Sequence, residues 1–171
     1  PRFLSSIYID PVDQEVTDIR LLRRWMEIEK HEVRYKEHFM EDAEIAVIGF
    51  GTAGRVASSA VNLAREEGIK AGLFRPITLA PFPKKQVEAI SRQVKRILVI
   101  EMNTGMMLDD INGIVQGRVP VEFYGRLGGV TPFPDEILDE IRRVAQNEDD
   151  VNGLVREEWL DRLEKLIEGG K

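Results

Sequence analysis

The segment from Glu44 to Gly54 constrains the fold more than any other. An uninterrupted apolar run, Ile45 to Ile48, ends at Gly49, Gly51 and Gly54, and a helical pattern follows from about Arg55. Apolar character on consecutive residues, without alternation, marks a strand buried on both faces, as in a parallel sheet covered by helices. Glycines let the chain turn sharply out of that strand and bring the next helix close against it. In open sheets of this kind, ligands bind in the crevice beyond the carboxyl ends of the strands.

The same rhythm continues down the chain. Strands are expected at Ile45 to Phe50, Ala71 to Ile77, Ile97 to Glu101 and Val119 to Tyr124, with a short edge strand near 37–41. Between them, helical spacing turns Val56, Ala60, Leu63 and Ala64 inward over Arg55 to Glu67, and Val87, Ile90 and Val94 inward over Lys84 to Lys95. Leu108, Ile111 and Val115 do the same from about Met106, and Ile137, Leu138, Ile141 and Val144 after Pro134. Gly68 and Gly117 close two of these helices. Alternating strands and helices with short connections imply right-handed crossovers and a mostly parallel sheet in three layers.

The flanks read differently. Ser5 to Asp10 is expected to extend as a short strand. Asp18 is the expected N-cap of a highly charged helix running to about Lys36, with a narrow apolar stripe of Leu21, Leu22, Trp25, Ile28 and Val33. Such a helix suits a linker to another domain; a coiled-coil arm is the alternative. Glu148 to Asp150 reads as a solvated linker, and Leu154 to Ile167 as an amphipathic helix that docks on the domain or mediates self-association. The expected division is therefore 1–36 linker and helix, 37–147 the α/β domain, and 148–171 a second linker and helix.

With 30 acidic against 24 basic residues, the net charge of −6 argues against a nucleic-acid surface. The absence of cysteine excludes disulfides, thiol catalysis and any iron–sulfur cluster held by this chain's own thiolates. No apolar run nears the roughly 18 residues of a membrane span, and no signal-peptide pattern opens the sequence, so a cytoplasmic location is expected. The chain opens on Pro1, as an excised piece of a longer polypeptide would.

Gly49-Phe50-Gly51-Thr52-Ala53-Gly54 matches G-x-G-x-x-G in the strand-to-helix setting of a dinucleotide site. The acid that should follow about 20 residues on, to hold the ribose, is missing. Phe74, Arg75 and Pro76 stand there instead. Arg75 leaves an NADP 2′-phosphate open, but four or five strands fall short of two mononucleotide-binding halves, and a tight turn is the favoured reading. Glu101 and Asn103, followed by Thr104 and Gly105, lie at a strand's carboxyl end. They face a ligand or neighbour, or Glu101 caps the next helix or pairs with a base. Arg126, between glycines, is either an anion or partner contact or an ordinary surface arginine. Met102, Met106 and Met107 are expected to pack in the core and turn. His31 and His38, expected on one helical face, stand about 10 Å apart along it, too far to share a metal. These residues leave two functional readings open: a free-standing small-anion or regulatory module using the strand-end crevice, or an NADP enzyme.

Four blocks in order carry a resemblance. Gly-Phe-Gly-Thr-Ala-Gly-Arg-Val-Ala at 49–57, Ala-Arg-Glu-Glu-Gly-Ile-Lys-Ala-Gly-Leu-Phe-Arg-Pro at 64–76, Ile-Leu-Val-Ile-Glu-Met-Asn-Thr-Gly-Met-Met at 97–107 and Val-Pro-Val-Glu-Phe-Tyr-Gly-Arg-Leu-Gly-Gly-Val-Thr-Pro at 119–132 resemble the second core domain of the α subunit of 2-oxoacid:ferredoxin oxidoreductases. The resemblance implies a transketolase C-terminal-domain-like fold: a five-stranded α/β/α sandwich with one antiparallel edge strand. It implies a complex that oxidatively decarboxylates a 2-oxoacid to an acyl-coenzyme A, using thiamine diphosphate with Mg²⁺, iron–sulfur clusters and ferredoxin. The Gly-Arg-Leu-Gly-Gly block is most similar to 2-oxoglutarate-type subunits. The implied partners are the pyrimidine-binding domain of the same subunit and a diphosphate-binding β subunit, with self-association also open. No Gly-Asp-Gly with a downstream Asn, the thiamine-diphosphate metal signature, occurs here. The chain is therefore expected to bind no cofactor and to be inactive alone. It would serve as a scaffolding and interface domain whose strand-end residues Gly51, Thr52, Arg75, Pro76, Glu101, Asn103, Thr104, Gly105 and Arg126 face a neighbour.

Overall fold

The structure is a computed structural model, and it describes residues 7–147 and 155–169. Its centre is β2 (Ile45–Gly49), buried along its whole length, with Ala46, Val47 and Ile48 fully inaccessible. Around it stand β1 (Tyr35–His38), β3 (Ala71–Pro76), β4 (Arg96–Glu101) and β5 (Val121–Gly125), in the spatial order β1-β3-β2-β4-β5. β2 to β5 are mutually parallel, while β1 runs antiparallel on β3, with Tyr35 opposite Pro76 and Lys36 opposite Arg75.

Helix α2 (Gly51–Glu66) packs on α5 (Pro134–Gln146), and α3 (Lys84–Gln93) packs on α4 (Met106–Val115), making the outer two layers. The chain leaves β2 through α2 to reach β3 on one side, then returns through α3 to β4 on the other. The carboxyl ends of β2 and β4 are therefore the point where strand order reverses, the place where such sheets open a crevice.

Two of the three glycines at the end of β2 are explained by packing. A side chain on Gly54 would overlap the carbonyl oxygen of Gly49, and a Cβ on Gly49 would lie 2.9 Å from Gly54 Cα. Gly51 adopts φ +58°, the left-handed turn that starts α2. The helix thus begins inside the glycine cluster, four residues ahead of the expected Arg55.

The flanks depart further from expectation. Helix α1 spans Pro11–His31, not Asp18 to Lys36. Asp10 caps it, accepting from the Val12 amide at 2.7 Å, and Pro11 supplies a preset first turn. Residues 7–10 therefore form no strand, and Ser5 and Ser6 lie outside the described residues. The edge strand comes at 35–38, earlier than 37–41, because Phe39 turns at φ +55°. His31 ends a helix and His38 ends a strand, so the two do not share a helical face. The fifth strand runs from Val121 into Gly125, where 119–124 was expected.

Helix α6 (Val155–Gly169) docks against β5. The linker expected at 148–150, and Leu154, lie outside the described residues. Trp159, 1% exposed, stacks edge-on against Phe123 at 4.8 Å and donates its indole N–H to the Gly125 carbonyl at 3.0 Å. Arg162 donates to the Phe123 carbonyl at 3.3 Å. Side chains of α6 thereby satisfy the outer edge of β5, which would otherwise be open to pairing. Among the described residues, no helix is long and apolar enough to cross a membrane.

Candidate functional site

At the β2/β4 switch point lies a crevice of about 490 Å³. The β2–α2 turn supplies Phe50, Gly51, Thr52 and Ala53; the loop after β3 adds Leu79; the end of β4 and the start of α4 supply Ile100 to Asn103, Met106, Met107 and Asp110. Most of this wall is apolar. Phe50 is 41% and Met106 73% exposed, large apolar groups left open at a concave mouth. Met106 therefore does not pack in the core, whereas Met107 does.

The polar floor is a closed network. Glu101, buried at the last position of β4, accepts from the amides of Met107 (3.0 Å) and Leu108 (2.9 Å) and from Asn103 Nδ2 (3.0 Å). Asn103 Oδ1 in turn accepts from the Gly105 and Met106 amides at 2.7 and 3.0 Å. These are the amides that a helix start leaves unpaired, and the carboxylate also meets the positive end of the α4 dipole. The capping alternative for Glu101 is the one realised. Both oxygens of the carboxylate are spent on the protein's own donors. At α2, by contrast, Phe50 offers no side-chain cap, so the first amides beside Thr52 are left for solvent or a neighbour.

The other sequence-derived candidates separate. Gly51, Thr52, Glu101 and Asn103 come together at the crevice. Thr104 and Gly105 point their carbonyls at α6: Arg156 donates to Thr104 O and Gly105 O at 2.8 Å each, and to Asp109 at 2.7 Å. Arg75 lines a different hollow, beside β1, and Pro76 is buried in register with Tyr35. Arg126 is largely buried, with Nη1 3.3 Å from Glu136 Oε1. Glu136 also accepts from the Tyr124 hydroxyl (2.7 Å) and from the Phe133 amide (3.3 Å), capping α5. Burial, and next the Glu136 carboxylate, push the Tyr124 phenol above its ordinary value. Arg126 is thus a structural arginine, neither a surface group nor an open anion receptor.

Three features of the site were missed: the exposed Phe50 and Leu79, and Arg156, which ties α6 to the α4 turn. Phe50 and Leu79 carried a signal, being large apolar residues in strand-end loops. Arg156 reaches partners 47 to 52 residues away, and nothing local announces that.

The donor set does not fit a Mg²⁺-diphosphate: its carboxylate and carboxamide are already bonded to backbone amides. Among the described residues, no three His, Asp or Glu side chains are grouped to hold a metal ion.

Residues 43–151 match the family Pyruvate:ferredoxin oxidoreductase core domain II. The chain belongs to this family. The ketoisovalerate oxidoreductase subunit VorB of Methanothermobacter thermautotrophicus is 39% identical over 147 residues, 86% of this chain and 42% of that protein. The 2-oxoglutarate synthase subunit KorA of the same organism is 37% identical over 109 residues, 64% of this chain and 29% of that protein. The chain thus spans less than half the length of the curated relatives it matches. A solved 2-oxoglutarate:ferredoxin oxidoreductase from Magnetococcus marinus superposes with TM-score 0.67 at 19% identity, over 81% of this chain and 24% of that one. A split-gene transketolase superposes with TM-score 0.58 at 13% identity, over 68% of this chain and 42% of that one. The core domain II chain therefore has the transketolase-like sandwich, with its one antiparallel strand pair.

Proposed function

We propose that this core domain II belongs to the α subunit of a thiamine-diphosphate-dependent 2-oxoacid:ferredoxin oxidoreductase, and that it serves there as an interface rather than as the catalyst. The parent reaction in this reading is oxidative decarboxylation of a 2-oxoacid to an acyl-coenzyme A, with electrons passing to ferredoxin. A pyrimidine-binding domain precedes this one, α1 is the linker between them, and a β subunit supplies the diphosphate site. The unit formed by residues 37–147 presents its β2/β4 crevice to one of these neighbours.

The observation that carries the proposal is the crevice itself. Its rim is apolar and open, and its one buried carboxylate is held by α4's amides. Exposed apolar surface around a satisfied polar floor is what a protein neighbour covers. The glycine motif supports the same reading, because packing and one turn account for all three glycines.

As to substrate, a branched-chain 2-oxoacid is favoured over 2-oxoglutarate. The ketoisovalerate subunit aligns over 147 residues, against 109 for the 2-oxoglutarate one. Ferredoxin reduction by the complete complex, assayed with each oxoacid, is expected to run with the branched-chain acid in preference. Thiamine diphosphate with Mg²⁺, added to this chain alone, is expected to leave hydrogen exchange at the crevice amides of residues 51–53 and 102–107 unchanged. Coenzyme protection there, or turnover by this chain without partners, would contradict the proposal.

A further inference from the structure

Helix α2 has a second hollow on its other side. A groove of about 380 Å³ lies between it and the edge strand β1, with Lys36, His38, Arg55, Ser58, Ser59 and Arg75 among its walls. The register explains the convergence. Lys36 pairs with Arg75 across the β1–β3 ladder, so both side chains rise from the same face of the sheet. Arg55, Ser58 and Ser59 come from α2, on the facing wall. His38 is tied to Asn62 Oδ1 at 2.9 Å and closes one end.

These cations are not spent on the protein. Among the described residues, Arg65, Arg96, Arg126, Arg142, Arg143 and Arg162, all half-buried, each face a carboxylate within ion-pair distance. Among the described residues Arg75, equally half-buried as a residue, has no such partner, and neither do the exposed Lys36 and Arg55. Helix α2 carries no acid before Glu66. Glu37 is the one acid bordering the groove, and the pleat turns its side chain away from Lys36. With three cations and two hydroxyls on its walls and no acid turned into it, the groove offers uncompensated positive charge to an anion from outside.

We infer that this groove binds a small phosphorylated molecule, with the phosphoryl group held by Arg55, Arg75 and Lys36 and by the Ser58 and Ser59 hydroxyls. Three positive charges exceed what one carboxylate neutralises, and guanidinium forks match phosphoryl oxygens in geometry as well as charge. The groove's volume of about 380 Å³ is enough for one or two phosphoryl groups. The site lies outside the β2/β4 crevice and does not depend on the interface reading.

The test is isothermal titration of the full chain with inorganic pyrophosphate at low ionic strength, with the melting temperature of each variant confirming its fold. One saturable site is expected, weakened roughly ten-fold by Arg75→Gln and by Arg55→Gln, as loss of a charged hydrogen bond implies. Arg75→Lys should retain part of the affinity, and Lys165→Gln, on α6, all of it. Two arms separate the sources of the phosphoryl group. ADP binding tighter than pyrophosphate identifies a nucleoside diphosphate, and equal affinity identifies a non-nucleotide phosphate. The inference is overturned if no saturable binding occurs, if an Arg55→Gln/Arg75→Gln double variant binds as well as the wild type, or if succinate competes as strongly as pyrophosphate.

Discussion

Glu101 shows how one side chain can hold a site together and still be lost to chemistry. Its oxygens accept three hydrogen bonds, two of them from backbone amides at the start of α4. Glu101→Gln keeps the shape but turns an NH₂ toward an amide N–H and removes the charge facing the helix dipole. The expected cost is about 2–3 kcal/mol, read by urea unfolding; an unchanged midpoint would mean the network is not held by the carboxylate. Gly54→Ala tests a different claim, that the glycine motif is packing. A Cβ there meets backbone, which cannot rotate away, so destabilisation of about 1–3 kcal/mol or failure to fold is expected. Both residues stood out in the sequence: the close helix packing at Gly54 was legible there, whereas for Glu101 capping stood only as one of several roles. A carboxylate at a strand end reads the same whether it caps a helix or meets a ligand, and only the fold of 102–107 decides between them.

At the scale of elements, α1 and α6 look alike in sequence and behave differently. Both are charged helices with a narrow apolar face, yet α1 has no buried residue while α6 buries Trp159 and Leu163. The difference lies in what each meets. The indole N–H of Trp159 and the guanidinium of Arg162 find free carbonyls on the edge of β5, and Arg156 finds those of the α4 turn. These partners are 34 to 52 residues distant, beyond any local pattern. Trp159→Ala is expected to cost roughly 3–5 kcal/mol and to release α6 from the sheet. With the β5 edge opened, the variant should associate in a concentration-dependent way that the wild type does not, as seen by sedimentation. A variant of wild-type stability and assembly state would show that α6 is not an edge cover. Element boundaries were legible to within a few residues wherever a buried strand or a glycine set them. They slipped where a cap competed: Asp10 with Pro11 outbid Asp18 as the start of α1.

For the whole molecule, the parallel three-layer sheet could be read from apolar runs and their spacing, because burial on both faces leaves few alternatives for segments such as Ile45 to Ile48 and Ile97 to Ile100. The strand order β1-β3-β2-β4-β5 places four of the nine expected site residues at one crevice and sends Arg75 to another hollow. Sequence position along strand ends cannot reveal on which side of α2 a side chain emerges; the pleat and the antiparallel register of β1 do. Family membership rests on the match of residues 43–151, and the interface role proposed for the crevice is open to direct measurement. Hydrogen–deuterium exchange of this chain, alone and after addition of the remaining subunits, measures that role most directly. The amides of residues 51–53 and 102–107 are expected to gain protection on assembly and to be unaffected by thiamine diphosphate alone. Unchanged exchange there in the assembled complex, or protection by the coenzyme without partners, would contradict an interface at the β2/β4 crevice.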